Sequence, residues 1–155
     1  MTANSSEYAQ QWARYLRARR WDLIGHFTFP DNVSERFANV VWYRYIHRIN
    51  RFQYGVGYTK HRKQKSIQAG KHEIRWAKAG EQQDRGTIHF HAVIAGIQKA
   101  LQASIQQATQ AWEKLTGGGA NSAVVLPYDP AKGGIEYMCK KLDAHCRPME
   151  LGGPL

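Results

Sequence analysis

The chain has 155 residues, 43% of them hydrophobic, and a formal charge of +10 from 22 basic and 12 acidic side chains. That length and apolar content suit one folded domain over 1–155 and argue against a disordered chain. The charge favours a polyanionic partner, nucleic acid first and an anionic membrane surface second, while no apolar run approaches the length of a membrane span.

The opening MTANSSEYAQQ lacks the apolar core of a signal peptide. Ser6 is placed to cap a first helix, along which Tyr8, Trp12, Tyr15 and Leu16 fall at helical spacing. Residues 1–20 therefore read as an N-terminal helical extension. WDLIGHFTFP then reads as a strand ended by Pro30. Leu23, Phe27 and Phe29 point to one face; Ile24, His26 and Thr28 point to the other. Asn32, with Glu35 three residues on, predicts a capping box for the next helix. That helix is expected to bury Ala38, Val41, Trp42, Tyr45 and Ile49. Arg44, Arg48 and Arg51 form a separate stripe, suited either to a solvated face or to a row of phosphates. The glycine-rich, basic segment YGVGYTKHRKQKSIQAGK predicts an exposed excursion. Its Lys60, Arg62, Lys63 and Lys65 serve either solubility or contact with a nucleic-acid backbone.

HEIRWAKAGEQQDRG predicts a strand and a turn. Asp84-Arg85-Gly86 suits a three-residue hairpin loop with Gly86 in the left-handed conformation. The return strand lies in RGTIHFHAVIAG. His89 and His91 share one face of it, and Ile88, Phe90, Ala92 and Ile94 share the other. With Gln83 opposite Thr87, Glu81 comes directly across from His89, Cβ atoms roughly 5 Å apart. One carboxylate and two imidazoles then converge. Such a mixed nitrogen and oxygen set suits a divalent ion such as Mn²⁺ or Mg²⁺ with positions left for a substrate oxygen.

Leu101, Ile105, Ala108 and Trp112 mark another amphipathic helix, stopped at Gly117-Gly118-Gly119. SAVVLPYD reads as a last strand. Asp129 and Pro130 then open a helix with Ile135, Met138, Cys139, Leu142 and Cys146 on its core face. Cys139 and Cys146 would lie about 10 Å apart along that helix, too far for a disulfide. They read as reduced packing residues of a cytoplasmic protein. Tyr137, Lys140 and Lys141 fall on the opposite side of the helix. They are either a half-exposed tyrosine with snorkelling lysines or a nucleophile with charge support.

The ordered set of motifs resembles the HUH endonucleases, and among them the rolling-circle replication initiator (Rep) proteins. FTFP at 27–30 is similar to their first motif, HFH at 89–91 to the His-hydrophobe-His motif, and YMCK at 137–140 to the Tyr-x-x-Lys motif. Glu81 stands eight residues before His89, at the position of their third metal ligand. The resemblance spans about residues 21–145. It implies an α+β fold, ferredoxin- or RRM-like, with a central antiparallel sheet and helices packed on one face. It also implies a divalent metal, Mn²⁺ or Mg²⁺, held by Glu81, His89 and His91 on the open face. Tyr137 would attack, supported by Lys140, with Lys141 and the basic clusters holding DNA. The expected activity is nicking and rejoining of single-stranded DNA through a 5′-phosphotyrosine, initiating rolling-circle replication of a plasmid or phage. The implied partners are a replication origin beside a hairpin, and host helicase and polymerase. An HUH-type single-strand transposase is the nearest alternative. A noncatalytic nucleic-acid-binding module and a hydrolase using activated water are the rivals from other classes.

Overall fold

The computed structural model describes residues 6–61, 72–83, 86–142 and 148–154, with His61 described for its backbone alone. The expectations for Arg62, Lys63, Lys65, Asp84, Arg85 and Cys146 lie outside the described residues. Among the described residues four α-helices and five strands follow in the order α1 (Glu7–Arg17), β1 (Leu23–Thr28), α2 (Glu35–Tyr54), β2 (Arg75–Gln82), β3 (Ile88–Ala95), α3 (Leu101–Thr116), β4 (Ala123–Pro127), α4 (Gly134–Cys139) and β5 (Met149–Gly152). The sheet order is β4-β1-β3-β2-β5, with every neighbouring pair antiparallel. The run from β1 to β4 is thus a ferredoxin-like βαββαβ unit within an α+β fold. β5 is added at the β2 edge.

The β2–β3 hairpin forms in the expected register. Gln83 pairs with Thr87, its N–H donating to Thr87 O at 3.0 Å, and Gly86 takes φ +78°. That conformation costs glycine little, for want of a Cβ. Glu81 is the direct partner of His89.

The period-2 apolar rows of β1 and β3 dictate where α2 and α3 pack. Leu23, Phe27, Phe90, Ile94 and Val125 meet Val41, Trp42, Tyr45 and Ile49 of α2 and Ala108, Ala111 and Trp112 of α3. Trp112 sits at the centre. Its ring centroid lies 5.2 Å from Phe27 and 5.0 Å from Phe29, and its indole N–H donates to Thr28 O at 3.1 Å. Trp112→Ala is expected to cost about 3–5 kcal/mol, a large part of the ~5–15 kcal/mol that holds a domain together. Urea unfolding with an unchanged midpoint would show that this aromatic cluster is not the core.

The helices are not confined to one face. α2 and α3 take the first, as expected. On the second, Ala9, Ala13 and Leu16 of α1 and Ile135, Met138 and Cys139 of α4 cover Ala77, Ala79, Val93 and Ala95. Small strand residues let those helices approach closely. The N-terminal helix is thus built into a second core rather than appended. This face stays open toward β4, where Val124 and Leu126 are exposed.

Several local expectations change. The N-cap of α2 is Ser34, whose hydroxyl accepts from Phe37 N–H at 3.1 Å; Asn32 Oδ1 instead accepts from Thr87 Oγ1. Leu101 is exposed, and the buried side of α3 begins at Ser104. Asp129 caps a 3-10 turn over Pro130–Lys132. Gly133 at φ +66° breaks the path, so α4 begins at Gly134. β4 is not the last strand. β5 follows it, and its Glu150 accepts a hydrogen bond from the buried Lys78 Nζ at 3.2 Å. Asn39 Oδ1 also accepts from Lys78, and the Phe90 ring lies beneath the ammonium. Burial pushes the Lys78 pKa down, against the pull of Glu150.

Candidate metal centre and active site

The strand register builds the site. On β1, Ile24, His26 and Thr28 face away from the Phe27 core. In the β1–β3 ladder His26 is opposite His91, and Thr28 is opposite His89. In the β2–β3 ladder Glu81 is opposite His89. Four titratable side chains are therefore delivered to one end of one face.

The three imidazoles crowd together. Ring centroids are 4.4 Å apart for His26 and His91, 4.8 Å for His89 and His91, and 5.9 Å for His26 and His89. One ligand nitrogen from each falls within 4.8 Å of the other two. Burial, together with the neighbouring imidazoles His26 and His89, lowers the His91 pKa to about 4, although Glu81 opposes the shift. Burial and then His26 lower His89, and burial lowers His26, each again opposed by Glu81. At neutral pH the cluster is therefore uncharged, the state in which imidazole binds a metal.

Proton positions sharpen the fit. His91 Nε2 lies 3.2 Å from Glu81 Oε2. A carboxylate can only accept, so a neutral His91 donates from Nε2 and keeps its lone pair on Nδ1. That Nδ1 is buried and has no hydrogen-bond partner. An orphaned acceptor inside a histidine cluster is what a metal would satisfy. His89 Nδ1 is 2.8 Å from Thr28 Oγ1, with Gln83 Nε2 at 3.2 Å. With the Gln83 amide turned to present its oxygen, His89 donates from Nδ1 to the Thr28 hydroxyl and Nε2 is the free ligand atom. His26, His89 and His91 can thus hold a metal ion. Ligands around such an ion stand about 3–3.5 Å apart, so the rings need draw in only modestly.

Glu81 is poised beside this set. Burial alone would raise its pKa, but hydrogen bonds from Lys141 and His91 outweigh that effect and hold it below the usual carboxylate range. Lys141 Nζ donates to Glu81 Oε1. Lys141, expected at a DNA backbone, is therefore the residue that anchors the site carboxylate. Lys140 lines the same cleft, a pocket of about 150 Å³ with Tyr137, Glu81, His91 and Lys141 on its walls.

Tyr137 projects from α4 over the cluster. Its ring lies parallel to His26, 10° between planes at 6.2 Å, and edge-on to His91 at 5.3 Å. Ile135, Met138 and Leu142 are buried while Tyr137 is 57% exposed, so the expected division of faces holds. A Cβ on Gly134 would come 2.4 Å from Ile24 Cδ1, which shows how closely the start of α4 approaches β1.

The structure does not bring every expected residue to the site. Arg44, Arg48 and Arg51 are exposed on α2, which packs on the opposite face of the sheet. Lys60 is exposed in the 3-10 turn Tyr58–His61 that follows α2. Conversely, His26 was legible as facing away from the core but not as a member of the cluster. The signal for it was its place in the same alternation as Thr28, immediately before the FTFP motif.

The His91 shift carries a stability consequence. Its folded pKa lies below the ordinary 6.5. The stabilisation is complete above that value and is lost as pH falls from about 6.5 through about 4. Metal-free protein should lose up to about 3 kcal/mol over that window. Denaturant titrations at stepped pH measure it, and His91→Gln should flatten the curve.

Among the described residues no helix is long and apolar enough to cross a membrane. No protein-family model matches the chain, and neither a curated protein nor a solved structure matches it.

Proposed function

We propose that this chain is a metal-dependent single-stranded DNA endonuclease and strand-transfer enzyme of the HUH type, a replication initiator that nicks an origin through Tyr137. The observation that carries the reading is the tyrosine ring lying parallel to His26 and edge-on to His91, beside a carboxylate held by a lysine. The order of the sequence motifs supports it, as does the charge of +10. A noncatalytic binding module would have no use for a neutral histidine cluster with an orphaned ring nitrogen under a tyrosine.

In this reading His26, His89 and His91 hold the ion, with Glu81 within reach of it. Of Mn²⁺ and Mg²⁺ the imidazole-rich set favours Mn²⁺, because Mg²⁺ prefers oxygen ligands. When bound, the ion polarises a phosphoryl oxygen and stabilises charge that develops on it. The chain's own groups do the rest. Tyr137 Oη forms a bond to phosphorus as its proton passes to solvent. The bond from phosphorus to the 3′-oxygen breaks, and that oxygen takes up a proton from solvent to become a free 3′-hydroxyl, so no net proton is gained or lost. Lys140 and Lys141 offer positive charge to the phosphate, Lys141 while also orienting Glu81. The exposed Val124 and Leu126, on the strand beside His26, offer an apolar floor for a base. Reversal of the same two bond changes rejoins the strand. An end-labelled single strand, resolved under denaturing conditions after incubation with Mn²⁺, tests the proposal: a protein-linked 3′-side fragment is expected, and clean hydrolysis without an adduct would overturn it.

A further inference from the structure

The outer surface of α2, on the far side of the sheet from the histidines, is strongly basic. After Glu35 in its first turn, no fully exposed residue of that helix is acidic. The exposed side carries Arg36, Arg44, Arg48 and Arg51, interleaved with Phe37 and Tyr43, which are 51% and 57% exposed. At 3.6 residues per turn, Phe37, Arg44, Arg48 and Arg51 fall close to one line along the helix.

α3 supplies the second wall. Arg48 and Arg51 face Gln107, Gln110, Ala111 and Lys114 across a groove of about 250 Å³. Arg36, Arg44, Arg48, Arg51 and Lys114 have no ion-pair partner among the described residues. Elsewhere some cations are neutralised, Arg17 by Glu136, Lys78 by Glu150 and Lys141 by Glu81, and those without an ion pair among the described residues, such as Arg14, Lys60, Lys99 and Lys132, are not lined up along one helix with a facing groove. A concentration of unneutralised cations is self-repelling, and it is relieved by an anion. Exposed aromatics among arginines add stacking surfaces that a duplex, with its bases already stacked, cannot use.

We infer that the outer face of α2 and the α2–α3 groove form a second nucleic-acid surface, which takes single-stranded DNA or RNA of any sequence. Arg48, Arg51 and Lys114 grip the backbone phosphates, and Phe37 stacks on a base toward the start of the helix. Because α2 lies on the other side of the sheet from His26, His89 and His91, this strand is not the segment under Tyr137. It is a separate stretch, held while the histidine face remains free. The surface is independent of the cleavage reading, and its test needs neither metal nor turnover.

Anisotropy of a labelled poly-dT oligonucleotide is measured in excess chelator across a salt series. Replacing Arg48, Arg51 and Lys114 together by Gln is expected to weaken binding about 10-fold or more. It should also reduce the salt slope by about 2, since each single-strand phosphate contact contributes ~0.7. Phe37→Ala should weaken binding while leaving that slope unchanged. All these side chains are exposed, so thermal melting should match the parent chain and certify folding. Unchanged affinity and slope in the triple variant would overturn the inference. So would a duplex of equal length bound as tightly and lost as fully. Oligonucleotide binding retained in the triple variant, with binding to anionic phospholipid vesicles lost, would assign the face to a membrane surface instead.

Discussion

A chain carrying Tyr137→Phe is expected to form no covalent adduct with single-stranded DNA under conditions in which, on the proposed reading, the parent chain should. The substitution removes one oxygen. The ring that stacks on His26 and meets His91 edge-on remains, so the packing of α4 and the ligand cluster beneath it should persist. Metal affinity and oligonucleotide affinity should therefore stay within about twofold. Adduct formation should fall at least ~1,000-fold, because the variant lacks the nucleophilic oxygen. With DNA labelled at either end, the parent adduct should retain the 3′-side label alone. The 5′-side fragment should end in a free 3′-hydroxyl that a polymerase can extend. An adduct undiminished in Tyr137→Phe would move the nucleophile elsewhere. Tyr128 is the first residue to test in that event, although burial and the nearby Glu136 push its phenol up and make it the poorer nucleophile.

The second large effect concerns the ion. His26→Ala and His91→Ala should each weaken Mn²⁺ binding by about 100-fold, read by calorimetry on the free protein. Saturating Mn²⁺ at 100 times its dissociation constant should stabilise the parent chain by about 2.7 kcal/mol, and should raise the melting point of neither variant appreciably. Glu81→Gln separates two donor sets. If three imidazoles carry the ion, it should cost less than either histidine variant, because the carboxylate is already engaged by Lys141 and His91. Lys141→Met should then release Glu81 toward the ion and tighten binding. Full Mn²⁺ affinity in His26→Ala would return the ion to Glu81, His89 and His91 alone.

Much of the architecture follows from short-range rules. Alternation in IHFHAVIA separates His89 and His91 from Phe90, Ala92 and Ile94 without reference to any other part of the chain. The turn at Gly86 then places Glu81 opposite His89, since a hairpin's register follows from its loop. Helical spacing likewise put Ile135, Met138 and Leu142 opposite Tyr137. What local rules could not reach was pairing between strands far apart in sequence. His26 joins His91 through a ladder that links residues 65 apart, and its register depends on the whole β1 face finding the α2–α3 core. The same holds for β5, whose short MELG strand becomes legible as a strand only when the β2 edge is there to pair with it. Lys141 looked like a DNA contact because no sequence pattern shows that Glu81 ends beside it. The arginine stripe was visible as a stripe, but which side of the sheet it faces was decided by the apolar rows of β1 and β3. The sequence by itself therefore determined the elements other than β5, their apolar faces and the hairpin half of the site. Tertiary structure alone decided the third imidazole, the lysine that holds the carboxylate and the separation of the basic surface from the histidines, because each depends on contacts between segments that propensity and periodicity do not relate.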